Sequence, residues 1–105
     1  MPKFLITASY TEQGVSGLLK EGGSGRREAV QQMTEAAGGS LEAFYFAFGD
    51  DDVYCIVDLP DNATAAAIAL NVAATGSVSL STTALLTPEE IDEAAHHRIN
   101  YRPPG

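Results

Sequence analysis

Two apolar runs separated by three aspartates constrain this chain more than any other feature. They are LEAFYFAFG over residues 41–49 and VYCIVDLP over residues 53–60. Both are rich in aromatic and β-branched residues, and the tight acidic connection between them predicts a hairpin. Side chains alternate along a strand, so Phe44, Phe46 and Phe48 are predicted on one face of the first run, with Tyr45 and Ala47 on the other. A hairpin that is apolar on both faces needs cover on both.

The flanking segments supply part of that cover. KFLITASY, residues 3–10, reads as a strand with Phe4, Ile6 and Ala8 on one face and Thr7 and Ser9 on the other. Thr11 then caps a short helix with Glu12 in its first turn. Gly14 and Gly17 each weaken that helix by about 1 kcal/mol relative to alanine, and Gly22 and Gly23 end it. Ser24 is the predicted N-cap of a second helix through Ala37, with Glu28 near the capping-box spacing. After Pro60, Asp61 or Asn62 caps a third helix that runs to about Thr75. SVSLSTTALL, residues 77–86, alternates as a last strand. Thr87, Pro88 and two glutamates open a final helix. The order is an α+β, ferredoxin-like β-α-β-β-α-β arrangement with an extra short helix after the first strand. Residues 1–95 are read as a single domain and 96–105 as an extended tail.

In that arrangement helices cover one sheet face and leave the other bare. The helix over residues 63–74 is also apolar nearly all round, with only Thr64 and Asn71 polar within it, so cover on more than one side is predicted. Both features point to a homodimer or larger homo-oligomer joined through the sheet. The chain has 105 residues, 14 acidic and 6 basic, with net charge −8. Such a charge disfavours nucleic acid and anionic membranes as partners. A single cysteine, Cys55, excludes an internal disulfide and a cysteine-based metal site. The first residues lack the apolar stretch of a signal peptide, and the predicted location is the cytoplasm.

Three groups of residues are candidates for chemistry. KEGGSGRREA, residues 20–29, sets Arg26 and Arg27 at a helix N-terminus, where backbone N–H groups attract anions. One reading is an anion cradle; the other is an inter-helix turn whose arginines pair with Glu21 or Glu28. The second group is the polar sheet face. Ser9, Tyr54, Asp58, Ser79 and Ser81 project to one side there, with Thr7, Thr83 and Tyr45 or Phe44 near them. Between two facing sheets these residues line a partly polar cavity for a small organic ligand. Asp58 is either a desolvated general base or a turn residue that caps the Asp61 turn. The third group carries less. Adjacent His96 and His97 do not share a helix face, Asp50, Asp51 and Asp52 are read as solvated turn residues, and Cys55 as an inert buried thiol. Catalytic residues are unassigned, and no cofactor or metal is expected.

LITASYT, GLLKEGGSGRREAV, GGSLEAFYFAFGDDDVYCIVDLPDNATAAAIAL and TTALLTPEEIDEA together resemble the GYD-domain family of small bacterial proteins. Gly49 and Asp52 fit the family's Gly-x-Tyr-Asp signature, and Asp51 stands where the tyrosine is usual. The resemblance implies a dimeric α+β barrel in which two ferredoxin-like sheets face each other. The leading expectation is a small-molecule-binding or accessory module acting as a homo-oligomer, with a small organic or anionic ligand. The alternatives are a cofactor-free enzyme (monooxygenase- or isomerase-like) of the dimeric α+β barrel type and a structural assembly subunit.

Overall fold

The alternation of the first strand decides the architecture. In the computed structural model, which describes all 105 residues, strand β1 (Lys3–Tyr10) lies inside a four-stranded sheet. On one side it pairs with β3 (Val53–Asp58) and on the other with β4 (Val78–Leu85); β2 (Ser40–Phe46) pairs with β3 at the edge. All pairings are antiparallel, and the sheet order is β2-β3-β1-β4. Helices α1 (Glu12–Glu21), α2 (Gly23–Ala36) and α3 (Asn62–Ala73) occupy the connections and lie over one face.

Beneath those helices the sheet contributes Phe4, Cys55 and Val57, which form the core with Leu59, Ala65 and Ile68. Phe44 and Ile6 pack against it. The intervening residues form the opposite, open face. The register places Thr7 beside Tyr54 and Ser81, Tyr54 beside Tyr45, Leu5 beside Ile56 and Thr83, and Ser9 beside Ser79. Only nine of the 105 residues are buried.

Several local expectations are corrected. β2 stops at Phe46, and Phe48 is fully exposed in the connection instead of sharing a face with Phe44 and Phe46. The cause lies in the aspartates. The Ala47 N–H bonds the Asp52 carbonyl at 2.8 Å, and the Asp52 N–H continues to the Ala8 carbonyl at 2.8 Å. The Asp52 carboxylate then accepts the Tyr10 N–H at 2.8 Å, while the Ser9 hydroxyl donates to Asp51 at 3.1 Å. Asp51 and Asp52 are therefore not freely solvated. They latch the hairpin loop onto the end of β1 by satisfying a polar group that the ladder leaves open.

Ser24 is not an N-cap. The two helices share Gly22, whose N–H bonds the Leu18 carbonyl at 2.8 Å and whose φ of 83° starts α2 one residue later. That φ favours glycine. Helix α3 buries only Ala65 and Ile68, and Ala66, Ala67 and Leu70 are exposed; within this chain it is covered on one side. Asp61 is its cap, accepting from the Thr64 N–H and hydroxyl. These bonds, the hydroxyl's first, hold the Asp61 carboxyl below its usual range.

Helix α4 (Pro88–His96) opens with a reciprocal capping box between Thr87 and Glu90, yet buries none of its residues. It and the tail leave Ile91, Ile99 and Tyr101 exposed. The chain measures 54 × 34 × 23 Å with a radius of gyration of 16.6 Å, where a compact chain of this length gives about 13 Å. No helix is long and apolar enough to cross a membrane.

Candidate functional site

The open sheet face carries most of the residues singled out in the sequence. Ser9, Tyr54, Asp58, Ser79, Ser81 and Tyr45 all project from it, whereas Phe44 faces the helices. Two of them already have partners. Ser9 is bonded to the hairpin loop, and Asp58 accepts from Lys3 at 2.9 Å. Asp58 therefore neither caps the Asp61 turn nor stands as a desolvated base. It is one of two carboxylates, with Glu42, that hold the Lys3 ammonium above its usual value. Within one chain this face is a surface and encloses nothing.

Arg26 and Arg27 diverge, because adjacent helical residues do not share a face. Arg27 lies on the outer side of α2 with Ser24 and Glu28. Arg26 points inward and meets Glu21 at 3.5 Å. Arg26 thus pairs with Glu21 as the turn reading expects, Arg27 has no such partner, and the two arginines do not form a shared cradle.

Arg26 leads to a feature that the sequence did not reveal. A cavity of about 560 Å³ lies between the helices and the sheet. Its floor includes buried Val53, Cys55 and Ile68, with Ile6, Met33 and Phe44 beside them. Exposed Gln13, Glu21 and Asn71 stand at its rim with half-buried Arg26 and Tyr10. Burial raises the Tyr10 phenol above its ordinary value; Arg26 opposes the effect, and Glu21 and Asp52 reinforce it. These residues come from elements scattered along the chain. The local signal for them was the pair Gly14 and Gly17 in α1, which read as helix weakness.

The floor thiol is inert. Burial pushes Cys55 up to about 11 from 9.0, so it is protonated at neutral pH and a poor nucleophile. A group with a raised folded-state pKa stabilises the fold below its unfolded value and loses that contribution as pH rises through the folded one. Cys55 therefore contributes on the order of 2 kcal/mol that is lost between about pH 9 and 11. Urea titrations across this range are expected to show a falling midpoint in the native chain and a shallower fall in Cys55→Ala. Equal slopes would refute the assignment.

The histidines His96 and His97 sit exposed at the end of α4, and no group of three or more His, Cys, Asp or Glu side chains gathers where it could hold a metal.

A four-stranded antiparallel sheet with helices over one face defines an α+β protein. Within that class, the chain belongs to the GYD-domain family, which matches residues 4–95. No curated protein matches it. The crystal structure of MtbAldR is similar in fold, with a TM-score of 0.58 at 18% identity over 97% of this chain. This chain spans 57% of that one's length. Asp52 anchors the hairpin loop to the Tyr10 backbone.

Proposed function

We propose that this chain is a small-molecule-binding module that works as a homodimer or larger homo-oligomer in the cytoplasm. Its strand order is that of a ferredoxin-like β-α-β-β-α-β unit, and two such sheets face each other in a dimeric α+β barrel. The observation that carries the reading is the pair of sheet faces. One carries a half-open cavity of about 560 Å³, a size suited to small organic ligands. The other leaves Tyr45 and Tyr54 exposed and Ile56 and Leu5 only half-buried by the chain itself.

Burying that open face in a second copy removes apolar area from water at about 25 cal/mol per Å². The groups at hand suit binding better than covalent chemistry, since Cys55 is held protonated and Asp58 is ion-paired with Lys3. An unpaired buried thiol also fits a reducing compartment. Native mass spectrometry of protein from its own host is expected to give a multiple of the 11.0 kDa chain mass carrying a small co-purifying compound. A bare monomer would overturn the reading.

A further inference from the structure

Helix α1 turns one stripe toward the cavity: Gln13, Gly14, Gly17, Leu18 and Glu21 all line it. Its two glycines have different reasons to be there. A Cβ on Gly14 would overlap the Ser77 carbonyl oxygen and crowd the Tyr10 ring. Glycine is required there for α1 to seat on the sheet. A Cβ on Gly17 would meet nothing within 4 Å. No packing contact and no positive φ demands glycine at that position, although glycine weakens a helix interior. Position 17 lies four residues from both Gln13 and Glu21, in the middle of the cavity-facing stripe. Gly17 is itself exposed, and the space next to it at the cavity edge is open.

The rim supplies the polarity. Arg26 makes one 3.5 Å contact to Glu21, with the two side chains 38% and 41% exposed. A long, half-exposed pair of this kind is weak, so the planar guanidinium fork can turn to a bidentate anion. The Tyr10 hydroxyl adds a neutral donor near Arg26, and the Gln13 amide adds another toward the opposite end of α1, about two helical turns from Glu21. Asn71, also at the rim, donates one amide N–H to the Ala67 carbonyl at 2.7 Å. Arg26 and Tyr10 supply the donors at one end, and the floor is hydrocarbon and one neutral thiol.

We propose that this helix-side cavity is the ligand site, and that it takes a small amphipathic carboxylate, with its apolar body over Ile6, Met33 and Ile68 and its anionic end on Arg26. The proposal rests on the reading of the chain as a ligand-binding module, and moves the site from the open sheet face to the opposite one. Gly17 is then a specificity element, since its missing side chain is the room that the ligand's body occupies.

Decanoate and its uncharged counterpart decanol are the probes. Titrated into the full chain, decanoate is expected to shift the methyl resonances of Ile6, Ile68 and Met33 and to bind more tightly than decanol. Arg26→Gln is expected to weaken decanoate roughly tenfold, the scale of one charge-assisted hydrogen-bond pair, with decanol unchanged. Gly17→Leu fills the cavity from a position with free space and is expected to abolish binding of both while raising the melting temperature. That rise separates loss of binding from loss of fold. Shifts confined to the Ile56 methyl on the open face would overturn this site and leave the binding-module reading intact. Equal affinity for decanoate and decanol would overturn the role of Arg26. No saturable binding of either would overturn site and module together.

Discussion

Tyr54→Asp is expected to yield a folded chain that sediments at about 11 kDa at concentrations where the native protein sediments as a multiple of that mass. Tyr54 is 40% exposed and points away from the core, so its replacement costs the isolated fold little beyond strand propensity, about 1 kcal/mol at most. In the facing-sheet assembly the same site lies on an inner strand, between Thr7 and Tyr45. An aspartate there would be buried without a partner, and each copy would bring one. An unpaired buried charge costs several kcal/mol, enough to dissolve an interface that holds at micromolar concentration. Thermal unfolding gives a second readout. The native melting temperature is expected to rise with protein concentration, as linkage to assembly requires, and that of Tyr54→Asp to stay constant. Tyr54→Phe keeps the ring and is expected to behave as the native chain. A native chain that is monomeric with a concentration-independent melting temperature would sink the facing-sheet assembly, whatever Tyr54→Asp does.

The element order was readable because its signals are local. Alternation in residues 3–10 and 53–58 places Phe4, Cys55 and Val57 inward, and Thr87, Pro88 and Glu90 carry the cap chemistry of α4 within four residues. The polar set of the open face was readable for the same reason: strand alternation and the order of the strands suffice to put Ser9, Tyr54 and Ser81 on one side. What was hidden depends on contacts between distant segments. The loop aspartates looked like solvent-facing turn residues until β1 ended beside them and offered the Tyr10 N–H. Asp58 looked like a base or a cap until register placed Lys3 opposite it. The cavity needs Ile6, Met33 and Ile68 from three elements to stand apart, and no periodicity records a gap. Gly17 was legible only as a cost. The space beside it, which gives that cost a purpose, belongs to the folded chain.

Leu59→Ala is expected to cost about 3 kcal/mol of stability, in the range of buried leucine-to-alanine changes. Leu59 has no exposed surface and belongs to the cluster of Phe4, Cys55, Val57, Ala65 and Ile68. Its backbone is fixed on both sides: its N–H bonds the Pro2 carbonyl at 3.0 Å, and Pro60 follows. The neighbouring backbone is equally fixed, because a Cβ on Gly39 would overlap the Asp58 carbonyl oxygen and press on the Leu59 side chain. With β1, β3 and the Gly39 turn locked together, the surroundings cannot collapse into the vacated volume, and the cost stays near the full cavity value. A domain of this length has a total stability of roughly 5–15 kcal/mol. With nine buried residues this chain belongs near the lower end, so one methyl-rich side chain is a large share of the whole. The expected fall in melting temperature is about 10–20 °C, with an unchanged urea m-value, since the surface exposed on unfolding is nearly the same. A loss below about 1 kcal/mol would mean that the β3–α3 corner relaxes freely, and that the core lies elsewhere than around Val57 and Leu59. The cavity on the other side of Cys55 sharpens the contrast. Gly17→Leu adds hydrocarbon to a chain with room for it and is expected to stabilise, whereas Leu59→Ala removes it where no neighbour can follow. Opposite signs from the two changes would show that the first space is open and the second is filled for the fold.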